Sequence, residues 1–356
     1  MKKIIIVVGA RPQFIKAATL SRQFKLLGIN ELIIHTGQHF DANMSEIFFA
    51  EMEIPKPAYQ LDIHGLTHGA MTGRMLEGIE EILLKEKPDA VMVYGDTNST
   101  LAGALAASKL HIPVIHVEAG LRSFNMQMPE EINRILTDRI SNVLFCPTDT
   151  AVKNLQREGF ENMPIKIIKN GDVMQDAALY YAAKAEQKSD ILKKNGLSKF
   201  VLATIHRQEN TDSPENLRNI INGLNEINRQ IPVVVPIHPR TRNILSQLNI
   251  IPEFTIIDPV GYFDMIMLLK SCELVITDSG GVQKEAFFFG KHCITLREQT
   301  EWVELVENGF NILVGSNPEK LKKAFEIMSC KTSDFSLDLY GKGQAAERAA
   351  KEILKF

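Results

Sequence analysis

The chain has no hydrophobic run long enough to cross a membrane, few cysteines and almost no net charge, and each shortage removes a class of protein. A spanning helix needs about 20 consecutive apolar residues and nothing here approaches that, so no membrane partner is expected. The four cysteines, Cys146, Cys272, Cys293 and Cys330, lie without metal-ligand spacing. They point away from a zinc site or a disulfide scaffold and toward a reduced, cytoplasmic protein. A formal net charge of -3 supplies no basic field, so nucleic acid is not expected as a partner. No low-complexity tract or short-period repeat occurs. The start, Met1-Lys2-Lys3 followed by Ile4-Ile5-Ile6-Val7-Val8-Gly9, has too short an apolar run for a signal peptide and reads as a first strand.

What is present is the material of an ordinary globular protein, 45% hydrophobic and 23% charged. At 356 residues the chain exceeds what one core supports, which predicts two domains. Short, fully apolar, β-branched runs alternate with helical patterns, the signature of a parallel sheet covered on both faces. Candidate strands fall at 4–9, 31–36, 90–94, 113–117 and 143–146, and again at 201–206, 232–237, 254–257, 274–277 and 292–296. Residues 170–200 carry no strand signal, and 182–196 are Ala/Lys/Gln-rich and helical. The fold class is therefore α/β, with two Rossmann-like doubly wound domains, 1–169 and 170–341. A short amphipathic helix at 342–356 could pack on either half.

Residues 274–291 are the most informative stretch. A buried strand runs into Thr277-Asp278-Ser279-Gly280-Gly281 and then into a helix. Gly280 and Gly281 leave the backbone open to a phosphate, and the first helical amides carry the positive end of the dipole. Ser279 can add a hydroxyl, and Glu285, about one and a half turns on, can accept from a ribose. The competing reading is a plain turn with Asp278 as N-cap.

Ligands of open α/β sheets lie beyond the carboxyl ends of the strands. Those positions hold Arg11, Gln38, His39, Asp96 and Glu118 in the first half, with Glu130 and Glu131 a little further on. In the second half they hold His206, Arg207, His238 and Arg240. Asp96 could instead cap the helix 97–109, and one of Glu130 and Glu131 could be a solvated helix start. Glu118 ends a buried strand before Gly120, where a carboxylate needs a reason. Arg11 and Lys16 sit in the first turns of a helix, where a cation suggests a nearby anion. His206 could equally be a satisfied structural histidine.

Taken in order, six motifs resemble the non-hydrolysing UDP-N-acetylglucosamine 2-epimerase family across nearly the whole chain. They are Gly9-Ala10-Arg11-Pro12-Gln13-Phe14-Ile15-Lys16, Tyr94-Gly95-Asp96-Thr97-Asn98-Ser99-Thr100 and His116-Val117-Glu118-Ala119-Gly120-Leu121-Arg122-Ser123. Pro129-Glu130-Glu131-Ile132-Asn133-Arg134, His206-Arg207-Gln208-Glu209-Asn210 and Thr277 through Glu285 complete the set. The resemblance implies the two-domain glycosyltransferase-B fold with a cleft between the domains, a last helix crossing back to the first domain, and a homodimer. It implies Arg11, Lys16, Ser279, Gly280, Gly281 and Glu285 as UDP contacts and Asp96, Glu118, Glu130 and His206 around the sugar. The activity implied is conversion of UDP-N-acetylglucosamine to UDP-N-acetylmannosamine, in the making of cell-surface polysaccharide.

Chemistry fits that activity. The C2 proton of an N-acetylhexosamine has no adjacent carbonyl and is too weakly acidic for direct removal by a carboxylate. If UDP leaves C1 first, the C2 proton is acidified, 2-acetamidoglucal forms, and UDP re-adds after protonation of the other face. A cationic cradle for the diphosphate and at least two proton carriers are then needed. No Gly-x-Gly-x-x-Gly fingerprint follows any strand, so no nicotinamide cofactor is expected, and no other cofactor or metal either.

Two departures bear on the substrate. Trp302 stands where family members usually carry an arginine, and 36–44 differ from the pattern of a second, regulatory site, although Gln38, Arg74, Arg207 and His238 keep part of that set. The Trp302 form is similar to a subgroup that includes 2-epimerases of UDP-2,3-diacetamido-2,3-dideoxy-glucuronate, used for O-antigen sugars. A uronate carboxylate would need a cation, for which Arg122 and Arg134 are candidates. From another class, a glycosyltransferase of the same fold would share the diphosphate cradle but has little use for three clustered carboxylates, and a nucleotide-sugar sensor would have lost the acids.

Overall fold

The computed structural model describes residues 2–38, 49 and 53–355, which divide into two compact units. Met1–Ala177 with Asp338–Phe356 form the first and Ala178–Leu337 the second. The strands, in chain order, are β1 (Lys3–Val8), β2 (Asn30–His35), β3 (Tyr59–Gln60), β4 (Ala90–Tyr94), β5 (Val114–Val117), β6 (Val143–Cys146) and β7 (Lys166–Lys169) in the first unit. The second holds β8 (Val201–Thr204), β9 (Val233–Pro236), β10 (Thr255–Ile257), β11 (Leu274–Thr277), β12 (Cys293–Thr295) and β13 (Asn311–Leu313). Each unit is a wholly parallel sheet, ordered β3-β2-β1-β4-β5-β6-β7 and β10-β9-β8-β11-β12-β13.

The central strands are buried on both faces because every side chain in them is apolar: Ile4 through Val8 and Ala90 through Tyr94 are all at most 1% exposed. Helices pack over them through small or branched residues, as Ala102, Ala104, Ala106 and Ala107 do against Ile5, Val7 and Val91. The α/β class read from the apolar runs is the observed one. Three strands had no such signal. β3, β7 and β13 are short and lie at sheet edges, where one side has no neighbour and composition is less constrained. Among the described residues no helix is long and apolar enough to cross a membrane.

The last helix, Ala345–Leu354, is held in the first unit by a carboxylate that caps it from another helix. Asp176, on Val173–Lys188, accepts the amides of Ala345 at 3.1 Å and Ala346 at 2.7 Å. Burial pushes the Asp176 carboxyl up from 3.8 to about 6, although the two amides oppose the rise. The folded state therefore binds this proton more tightly than the unfolded chain. The resulting stabilisation is complete below the ordinary value and is lost as pH rises through the folded value. Asp176→Asn removes the titration at the cost of one amide contact. Between pH 4 and 7 the difference in unfolding free energy between variant and parent should move toward the variant by about 1–3 kcal/mol, read from denaturant melts. A difference that does not change with pH would refute the assignment.

Candidate functional site

Strand order reverses between β1 and β4 in the first sheet and between β8 and β11 in the second, and crevices open at such reversals. The chain leaves these four strands at Gly9, Gly95, Ile205 and Asp278. The motifs that begin at Gly9, Tyr94, His206 and Thr277 thus sit at the two switch points, while His116–Ser123 follows the neighbouring strand β5. The side chain of Arg11 and all of His39 lie outside the described residues.

At the first switch point a pocket of about 220 Å³ is lined by Lys16, Gln38, Asp96 and Glu130, together with His68, Asn98 and Asn133. Asp96 does not cap the following helix. Thr97 does so, its hydroxyl accepting from Thr100 N at 3.3 Å, which leaves the Asp96 carboxylate to Arg134 Nη2 at 2.5 Å. Asn133 Nδ2 donates to the Asp96 carbonyl at 2.9 Å and fixes the backbone beneath it. Glu118 has φ 70°, a left-handed conformation that costs a residue with a Cβ about 1–2 kcal/mol and persists only where surroundings enforce it. Its carboxylate is paired with the Lys16 ammonium, both nearly buried. The cation expected on the diphosphate therefore neutralises a carboxylate in this structure.

Glu130 and Glu131 separate cleanly. Glu130 is exposed at the start of Pro129–Ile140 and faces the pocket. Glu131, expected to be solvated if it were the structural one, is fully buried. It accepts Ser123 N, Ser123 Oγ and Phe124 N at 2.9–3.0 Å and pairs with Arg134 at 3.0 Å. Gln38 Oε1 accepts Ser99 N at 3.0 Å and Ser99 Oγ at 2.7 Å, and Arg74 is exposed on His68–Glu86 outside the pocket lining.

The second switch point divides its motif between two tasks. Ser279, not Asp278, caps Gly280–Phe288, its Oγ accepting from Val282 N at 3.5 Å. Asp278 is fully buried and turns back, accepting His206 N at 3.0 Å, Arg207 N at 3.0 Å, Asn210 Nδ2 at 3.2 Å and His206 Nδ1 at 3.1 Å. Burial raises its carboxyl, but the hydrogen bond and charge of His206, with the Arg207 amide and Asn210, outweigh that and hold it below the usual range. The His206 side chain is 52% exposed, so with Nδ1 held by Asp278 its other nitrogen is the one open to a ligand.

Both glycines leave space, for different occupants. A Cβ on Gly280 would collide with the Glu301 carboxylate, itself paired with Arg297 at 3.0 Å, whereas one on Gly281 would meet nothing within 4 Å. Glu285 is buried on the same helix. Trp302 is buried and carries the Lys284 ammonium 3.8 Å from its ring centroid, a cation–π contact in place of a free cation. His238 is an exposed cap of Pro239–Gln247, its Nδ1 accepting from Arg240 N at 3.3 Å.

Sequence reasoning did not single out His68, Asn133 or Asp138, and it offered Arg134 only as a cation for a uronate. One signal was available. Pro129–Ile140 is amphipathic in reverse, with Glu131, Arg134, Thr137 and Asp138 buried while Ile132 and Leu136 are exposed. A helix that turns its charges inward is organising something. Arg122 and Arg134, the proposed partners of a uronate carboxylate, are both already paired, Arg122 with the buried Asp138 and the partly exposed Glu158, Arg134 with the buried Glu131 and the partly exposed Asp96. Among the described residues no His, Cys, Asp and Glu side chains group as a metal site.

Residues 25–354 match the family model described as UDP-N-acetylglucosamine 2-epimerase. A Pseudomonas aeruginosa protein named UDP-2,3-diacetamido-2,3-dideoxy-D-glucuronate 2-epimerase is 58% identical, with 99% of each chain covered. The solved structure of Methanocaldococcus jannaschii UDP-GlcNAc 2-epimerase in complex with UDP-GlcNAc and UDP is 47% identical, with TM-score 0.92 over the whole of both chains. That of the Neisseria meningitidis UDP-GlcNAc 2-epimerase bound to UDP-GlcNAc is 30% identical, with TM-score 0.89 over 99% of this chain and all of the other. The fold is accordingly the two-domain glycosyltransferase-B type.

Proposed function

The chain belongs to the non-hydrolysing UDP-N-acetylglucosamine 2-epimerase family, and from that footing we propose that it interconverts UDP-N-acetylglucosamine and UDP-N-acetylmannosamine in the cytoplasm, as a homodimer. The observation that carries the reading is the set of carboxylates at the first switch point: Asp96 and Glu130 on one pocket, and Glu118 held in a strained turn against Lys16. UDP leaves C1 with the C1–O electron pair, a carboxylate takes the C2 proton, and 2-acetamidoglucal forms. Protonation of C2 from the other face and return of UDP to C1 give the epimer. Asp96, Glu118 and Glu130 share the proton transfers and the stabilisation of positive charge on the ring. We assign Ser279, Gly280, Gly281 and Glu285 to the nucleotide, Arg11 and Lys16 to the departing diphosphate, and His206 with the carboxylates to the sugar. We keep Gln38, Arg74, Arg207 and His238 as a proposed regulatory contact for a second UDP-sugar.

Proton NMR in deuterated water tests the route: deuterium should enter at C2 of both epimers. Product that keeps the original C2 hydrogen would exclude elimination and re-addition. Glycosyl transfer to an acceptor, with C2 unchanged, would move the chain to the glycosyltransferase class.

A second reading of the sugar has one specific observation behind it, the 58% identity to the diacetamido-glucuronate enzyme. Against it stands the commitment of Arg122 to the buried Asp138 and of Arg134 to the buried Glu131, since an unpaired uronate charge is costly to bury. On that balance kcat/KM should favour UDP-N-acetylglucosamine by about tenfold or more at equal ionic strength. The opposite ratio would transfer the assignment to the uronate and leave the mechanism standing.

A further inference from the structure

Asp138 is a fully buried carboxylate on Pro129–Ile140 with no part in the reaction as described. It gathers three donors: His116 Nδ1 at 2.7 Å on one oxygen, and Gly120 N at 3.2 Å and Arg122 Nη1 at 2.7 Å on the other. The opposite nitrogen of His116, Nε2, lies 2.7 Å from the carbonyl oxygen of Gly95, which can only accept. The imidazole is thus tied at both ends, to Asp138 on one side and to the Gly95 carbonyl on the other.

These contacts bracket one residue. His116 lies two positions before Glu118 and Gly120 two positions after it, so Asp138 grips both sides of the left-handed turn. The turn is closed from the other side by Phe145, whose carbonyl takes Glu118 N at 3.1 Å and Ala119 N at 3.0 Å, and by Asn154, which donates to Gly120 O at 3.1 Å. Through His116 the same carboxylate also holds Gly95, the residue before Asp96. Arg122 is locked in turn by a bidentate pair with Glu158, at 2.6 and 2.8 Å. Burial raises the Asp138 carboxyl, but His116 and then Arg122 outweigh it and keep the group ionised.

We propose that Asp138 is a positioning residue that acts through Glu118: by holding His116, Gly120 and Arg122 it fixes the turn that sets the Glu118 carboxylate beside Lys16. This rests on the reading of Glu118 as a proton carrier. Asp138→Asn keeps the shape but opposes a donor to a donor. Turnover should fall by about 30-fold or more in the parent enzyme, with KM for UDP-N-acetylglucosamine and the Kd for UDP within about threefold. In a Glu118→Gln background the same change should cost less than about threefold, because two residues that act as a unit are not additive. Should the Asp138→Asn protein fail to fold, His116→Asn keeps a donor toward Asp138 and drops the Gly95 contact, and the same pattern is expected of it.

Equal fold-losses in both backgrounds, or a loss confined to KM, would overturn the inference and leave Asp138 as a stabiliser of the fold. A Glu118→Gln enzyme with undiminished turnover would instead remove Glu118 from the chemistry, and with it the basis of this proposal. The two failures are read from different variants.

Discussion

Glutamine at position 118 should lower kcat by about 100-fold or more while the Kd for UDP stays within about threefold. An amide has the shape of the carboxylate and cannot take the C2 proton, so the loss belongs to the chemical step. The same change leaves the Lys16 ammonium nearly buried without its partner, and a lower melting temperature is expected alongside. Asp96→Asn carries a similar side effect through Arg134. Glu130→Gln does not, since Glu130 is exposed at a helix start, which makes it the cleanest of the three for separating chemistry from stability. Near-normal turnover in all three amide variants, with melting points lowered in the first two alone, would return these acids to structural roles.

The parts of the fold visible in the sequence are those where burial on both faces left no choice of residue, as in Ile4 through Val8 or Leu274 through Ile276. β7 was not visible: it starts and ends on lysine, and only Ile167 and Ile168 lie between. The site was legible at the level of position, because residues just after a central parallel strand have few places to go but the switch-point crevice. Role was less legible. Nothing in Pro129-Glu130-Glu131 says which acid turns inward, since that depends on Ser123 and Phe124 bringing their amides to Glu131. Nor does Thr277-Asp278-Ser279 say that the serine caps its own helix while the aspartate reaches across to the loop after β8. Adjacent residues with similar caps and charges are told apart only by partners distant in sequence. The reversed polarity of Pro129–Ile140 is the exception, a local pattern that signalled buried work and was open to reading.

Truncating Asp278 should be the most damaging single change to the second unit. Asp278→Ala withdraws the acceptor from the amides of His206 and Arg207 and from Asn210, and removes the partner of His206 Nδ1. Each stranded buried donor costs about 1–3 kcal/mol, so the expected destabilisation is on the order of 3–5 kcal/mol at pH 7. Its pH dependence has a definite sign. The folded carboxyl titrates below its ordinary value, so the stabilisation is present above that value and is lost as pH falls through the folded one. The gap between parent and variant should therefore narrow below about pH 4, opposite to the trend expected for Asp176. Hydrogen exchange at the amides of β8 and β11 localises the loss, and turnover should drop with it because His206 is no longer aimed. A variant within about 1 kcal/mol of the parent at pH 7, or a gap that widens in acid, would mean that the backbone alone shapes this loop and that Asp278 does not organise it.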